Sequence, residues 1–158
     1  MTSSVLVAIR VAASPQLAFD VFTQEIGAWW RPSGLFETTP RGDGVMAFEG
    51  GEGGRLITTV SNGHVFEIGR ITAWEPGSRL AFTWRQASFT PDQITDVEVT
   101  FEPVGEGTRV SVRHNGWSEI PREHVARHGF PEGPFLQRTA EWWQGHLRAL
   151  RERLAGRP

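Results

Sequence analysis

PFLQRTAEWWQGHLRALRERL, residues 134–154, is the stretch that decides the fold. Leu136, Ala140, Trp143, Leu147, Leu150 and Leu154 recur at helical steps, with Phe135, Thr139, Trp142 and His146 along one flank. That spacing gives a helix one apolar face to lay on a core. Pro134 stands where a helix can begin without losing a backbone bond, and Gly156 and Pro158 supply a stop. At about 1.5 Å per residue the rod is roughly 30 Å long, enough to line one face of a small sheet. Its other face carries Arg138, Glu141, Arg148, Arg151, Glu152 and Arg153, a solvated surface whose pairs contribute only about 0.2–0.5 kcal/mol each.

The chain before this helix reads as the sheet it covers. Val5, Val7, Ile9 and Val11 alternate with smaller or polar residues as a first strand. Ser14-Pro15 then resembles an N-cap with proline at the first helical position. A short helix follows over Gln16–Thr23, and a second short turn runs through Ile26 to Trp29-Trp30 before Pro32. Further strands are expected over Arg55–Val60, His64–Trp74, Arg79–Arg85, Ile94–Val104 and Thr108–Asn115. They are separated by the turns Asn62-Gly63, Pro76-Gly77 and Gly105-Glu106-Gly107. Leu80, Phe82 and Trp84 share one face, as do Val97, Val99 and Phe101, and Val110, Val112 and His114. Arg109, Ser111, Arg113, Glu98 and Thr100 take the other, which marks an antiparallel sheet with one wet face. The run Gly50-Gly51-Glu52-Gly53-Gly54 lacks the spacing and lysine of a phosphate loop and is flanked by two strands, so these are turn and bulge glycines. Gly116–Gly133 is expected as a loop with a helical turn over Glu123–Arg127.

The 158 residues suit a single domain, residues 1–158, with a sizeable core. A net charge of −2, from 16 basic and 18 acidic residues spread along the chain, offers no basic stripe for nucleic acid and no polybasic patch for membrane. The absence of cysteine removes disulfides, thiolate nucleophiles and cysteine-ligated metals. MTSSVLVAIRVAAS lacks the charged start and apolar run of a signal peptide, so a soluble cytoplasmic protein is expected. Seven Trp and ten Phe beside no Tyr exceed what a small core must have, and would furnish an aromatic pocket wall.

Several stretches bear a family resemblance. Phe19-Asp20-Val21-Phe22 leading to Ala28-Trp29-Trp30-Arg31-Pro32 resembles the first-helix signature of homologues of the activator of heat-shock protein 90 ATPase, in the START-like (SRPBCC) superfamily. Gly69-Arg70-Ile71 through Glu75-Pro76 to Arg79–Trp84 is similar to that family's central hairpin. Thr108-Arg109-Val110, His114-Asn115-Gly116-Trp117, and Trp143, Leu147 and Leu150 resemble its tail. The resemblance is to the C-terminal-domain type and covers about residues 5–154. It implies an α+β helix-grip fold: a curved antiparallel sheet of six to seven strands wrapped around a long C-terminal helix, with two short helices after strand one. It also implies a cavity between sheet and helix that holds lipids, polyketides or other apolar molecules in some members, while others act as cochaperones. Two departures stand out: Trp142 sits where such tails often have glycine, and Gly42–Gly54 is richer in glycine than the usual pattern.

The function expected is binding of an apolar or aromatic small molecule, with no metal or organic cofactor; a homodimer stays open. Trp30, Phe48, Phe66, Phe82, Trp84, Phe101, Trp117, Trp142 and Trp143 are the candidate lining, although for any one of them a place in the core is the safer reading, and for Trp143 the two roles coincide. Arg70 would orient a ligand if it faces inward, or snorkel to solvent. A cyclase- or dehydratase-type enzyme is the alternative, with His114 or His146 as acid–base group. The second alternative is a chaperone-associated or other protein-interaction module. His124 and His128 have ligand spacing beside Glu123, but no third ligand and no H-E-x-x-H order, so they are read as surface residues. Asp92, Asp96 and Glu98 lie in a turn or on the wet face and support no paired-carboxylate mechanism.

Overall fold

In the computed structural model, residues 4–30, 44–85, 94–116 and 132–155 are described. The chain runs β1 (Ser4–Val11), α1 (Pro15–Gln24), α2 (Ile26–Trp29), β2 (Val45–Glu49), β3 (Arg55–Thr59), β4 (Val65–Glu75), β5 (Arg79–Trp84), β6 (Thr95–Val104), β7 (Gly107–Asn115) and α3 (Glu132–Leu154). The strands form one 7-stranded antiparallel sheet in the order β1-β7-β6-β5-β4-β3-β2. Only the β1–β7 pair is distant in sequence, and after β1 the chain passes through both short helices to β2 on the opposite edge. Five of the strand neighbours are successive hairpins, each closed by a short connection or by residues 86–93.

Local signals explain the boundaries. Ser14 caps α1 by accepting from the Leu17 N–H at 3.1 Å, with Pro15 as the first helical residue. Gly63 has φ +87, the left-handed conformation that the Asn62-Gly63 turn requires, and the Asn62 carboxamide accepts from the His64 N–H at 2.8 Å. The expected loop turn over Glu123–Arg127 lies outside the described residues.

The alternation in β6 and β7 sends Val97, Val99, Phe101, Val110, Val112 and His114 inward, all buried. Glu98, Thr100, Arg109, Ser111 and Arg113 take the outer face, where Arg79 meets Glu98 at 2.6 Å. The long helix covers the inner face, packing most closely along β1, while α1 packs on α3, β6 and β7 and α2 on β2. Its buried stripe is turned a little from the expected one. Phe135 and Thr139 are fully buried with Trp143, Leu147, Leu150 and Leu154, whereas Leu136 and Ala140 are half-buried. The helix also starts two residues before Pro134, at Glu132. At its far end Arg153 reaches Glu25, between α1 and α2, at 2.8 Å.

Strand β4 departs from a regular ladder twice. Leu56 pairs Gly69 while Ile57 pairs Glu67, and Ile71 pairs Phe82 while Ala73 pairs Ala81, so β4 has one surplus residue against each neighbour. Such bulges bend the strand and raise its twist. Gly69 is required at the first: a Cβ there would run into the Thr83 carbonyl oxygen.

Candidate functional site

The ends of α2, β5 and β7 meet the middle of α3 at one end of the sheet. Trp30 follows α2, Trp84 ends β5, His114 is next to last in β7, and Trp142, Trp143 and His146 come from α3. All except the half-buried Trp142 are buried. The Trp30 ring lies 5.8 Å from Trp84, 5.4 Å from Trp142 and 5.4 Å from Trp143, the last two edge to face. Trp84 and Trp142 are 5.8 Å apart, and Trp142 and Trp143 5.3 Å. Edge-to-face geometry at these separations sets a ring's positive edge on a neighbour's negative face, and each pair contributes about 0.5–1.5 kcal/mol beyond area burial.

A directed chain of hydrogen bonds runs through this cluster. The Trp143 indole N–H donates to His114 Nδ1 at 3.1 Å, and His114 Nε2 is 2.8 Å from the Thr95 hydroxyl. That hydroxyl donates to the Trp84 carbonyl at 3.1 Å. An indole nitrogen only donates, so Nδ1 is the acceptor and the single imidazole proton sits on Nε2, given to Thr95. Every hydrogen then points away from the helix, first into the sheet and then across its strands. Burial pushes the His114 pKa down to about 3, so it is neutral at ordinary pH.

His146 is held differently. Its ring stacks on Trp30 with centroids 3.8 Å apart and planes within 6°, and stands perpendicular to Trp142 at 4.7 Å. It is 7 % exposed, and neither nitrogen has a hydrogen bond to any described residue. Burial pushes its pKa down to about 4, so it too is neutral.

The other expected lining residues fall elsewhere. Phe48, Phe82 and Phe101 belong to a second aromatic group with Phe19, Phe22 and Trp74, nearer the middle of the sheet. Phe66 shares the inner face with Thr58 through the β3–β4 register but is only half-buried, its ring 4.7 Å from His64. Arg70, for which the sequence left both directions open, is exposed and pairs with Glu67 at 3.3 Å. The reason is the first bulge of β4: Phe66 and Ile68 face inward, the surplus residue shifts the phase, and Ile71 takes the next inward place. Trp117, His124, His128, Glu123 and Asp92 lie outside the described residues, while Asp96 and Glu98 are on the outer face.

The sequence reading missed Thr95, although it is in phase with Val97, Val99 and Phe101 on the inner face. It also passed over Trp29, Phe22 and Trp74 as site neighbours; Trp29 is buried and donates to the Val21 carbonyl at 3.1 Å. No described helix is long and apolar enough to cross a membrane.

A seven-stranded antiparallel sheet curled around one long C-terminal helix, with two short helices after the first strand, is a helix-grip domain. The chain belongs to the Activator of Hsp90 ATPase homolog 1-like protein family, whose model matches residues 12–155. Solved structures agree on the fold. Among them is the Aha1 dimer of Colwellia psychrerythraea, 19% identical with TM-score 0.64, covering 98% of each chain. Another is PFC0360w, an HSP90 activator from Plasmodium falciparum, 20% identical with TM-score 0.66, covering 96% of each. A third, the anthrahydroquino-γ-pyrone synthase Txn09, solved as a complex, is 33% identical with TM-score 0.50, covering 87% of this chain and 86% of that one. Comparison with curated proteins finds no match.

Proposed function

We propose that this protein binds an aromatic small molecule at the end of the sheet, against the wall made by Trp30, Trp142 and His146. The observation that carries the reading is the half-buried Trp142 joined ring to ring with Trp30, Trp84 and Trp143. Such a surface offers large apolar area at a low entropic cost of ordering, which suits a planar ligand. The 33% identity to a pyrone synthase supports an aromatic rather than a lipid-like ligand. The test is tryptophan fluorescence during titration with flavones and hydroxyquinones. Saturable quenching is expected, and no response from any member of either class would overturn the reading.

Catalysis of cyclase type is the second reading, and the same relative favours it. His114 is unsuited to the role because its Nδ1 already accepts from Trp143 and its Nε2 faces Thr95. His146 is therefore the acid–base candidate. Turnover of a linear polyketide-type precursor whose kcat at saturating precursor is lost in His146→Phe would establish this reading over binding alone. The two heat-shock neighbours share the fold at low identity and lend a chaperone role no further support. A homodimer like that of the Colwellia protein would appear as a doubled mass in light scattering.

A further inference from the structure

Two features of this site constrain the chemistry of its ligand. The first is His146, more than nine-tenths buried and without a hydrogen bond to any described residue. Leaving a buried polar group without a partner costs about 1–3 kcal/mol, and such groups in native structures call for an explanation. Stacking against Trp30 fixes the imidazole plane, so its two nitrogens keep fixed directions whatever they bond. In the neutral ring one nitrogen donates and the other accepts. A hydroxyl answers either nitrogen, and a ketone oxygen answers the one that donates.

The second feature is charge. The buried polar side chains among the described residues are threonines and the two histidines, with no Asp, Glu, Lys or Arg. Both histidines are held neutral by burial. A carboxylate or phosphate brought against this wall would lose its water and meet no opposite charge among the described buried side chains, a penalty of several kcal/mol per ion. These described side chains disfavour ionised ligands, fatty acids included. Resting on the binding reading above, we propose that the ligand is an uncharged aromatic molecule carrying a hydroxyl or ketone, and that His146 is its hydrogen-bonding anchor.

Three probes of matched ring size separate the terms: 2-naphthol, naphthalene and 2-naphthoate, measured by calorimetry or ligand-observed NMR on the full chain near neutral pH. Wild type is expected to bind 2-naphthol about tenfold or more tighter than 2-naphthoate. His146→Phe keeps a flat ring for Trp30 and loses both nitrogens. It should weaken 2-naphthol about tenfold while changing naphthalene less than about twofold. His146→Asn should recover part of the 2-naphthol affinity. The proposal is overturned if 2-naphthoate binds wild type as well as 2-naphthol, or if His146→Phe weakens 2-naphthol and naphthalene alike or weakens neither. Naphthalene binding without any naphthol preference would sink the anchor role alone. Failure of all three probes to bind wild type would sink the binding reading with it.

Discussion

The Trp143 indole N–H donates to His114 Nδ1 across 3.1 Å, between the middle of α3 and the end of β7. Both residues are fully buried, so the bond is made where no water competes, and it sets the proton on the opposite nitrogen. The helix and the sheet are thus joined by a polar contact of fixed direction inside an apolar interface.

Trp143→Phe keeps most of the ring and removes the donor. It should destabilise the protein by about 1–3 kcal/mol, because a buried acceptor loses its partner. Trp143→Ala should cost about 3–5 kcal/mol, since a cavity is added. Urea denaturation of the two variants distinguishes these amounts; a Trp143→Phe variant as stable as wild type would mean the indole nitrogen contributes nothing.

Thr95→Val keeps the shape of the side chain and removes the hydroxyl that faces His114 and donates to the Trp84 carbonyl. A loss of about 1–3 kcal/mol is expected. A double-mutant cycle with Trp143→Phe should give less than the sum of the two single losses, because the bonds share one imidazole.

Stability should fall as pH falls. The folded His114 and His146 titrate near 3 and near 4, whereas unfolded histidine titrates near about 6.5. Between those values the unfolded chain binds more protons than the folded one, so acid favours unfolding. Each histidine contributes a slope of up to about 1.4 kcal/mol per pH unit in that window. Full stability is present above about pH 6.5. Thermal melts from neutral pH down to about pH 4.5 should show His146→Phe with a shallower dependence than wild type; parallel curves would contradict the burial of a neutral imidazole.

Trp142→Gly removes a ring that touches Trp30, Trp84, Trp143 and His146. Loss of helix propensity alone costs about 1 kcal/mol, and the aromatic contacts add to it. Larger aromatic probes should then bind than wild type accepts. If the range of ligands and the stability both stay as in wild type, Trp142 does not bound the site.

Gly69→Ala should be among the most damaging small changes in the sheet. The added methyl meets backbone, the Thr83 carbonyl, which cannot swing aside as a side chain end can. A loss of about 3 kcal/mol, at the upper end for overpacking, is expected in denaturant melts.

Most of the architecture was legible because it rests on periodicity. The helix pattern from Leu136 to Leu154, the inward rows ending in Phe101 and His114, and the Ser14-Pro15 cap are all written locally. The slight rotation of the α3 stripe towards Phe135 and Thr139 was not, because it depends on how the helix settles against β1 rather than on spacing. In the site, aromatic residues and histidines could be singled out by type, and Trp30, Trp84, Trp142 and Trp143 do meet. What spacing could not supply was that His114 is bound at both nitrogens while His146 has no hydrogen bond to any described residue. That difference comes from Thr95 and Trp143 arriving from separate elements. Arg70 could not be oriented either, since a bulge resets the alternation and only Gly69 hints at one.

The bulges of β4 have a geometric consequence of their own. One extra residue against β3 and another against β5 give this strand about 3.3 Å more contour than each neighbour over the span they share. A ribbon that is longer than the strips beside it must buckle, and the excess sets how tightly it does so. The curvature of the sheet against the helix is thus governed partly by arc length, a quantity that side-chain substitution leaves untouched. Deleting a single residue at either bulge should flatten the sheet against the helix without altering one aromatic ring.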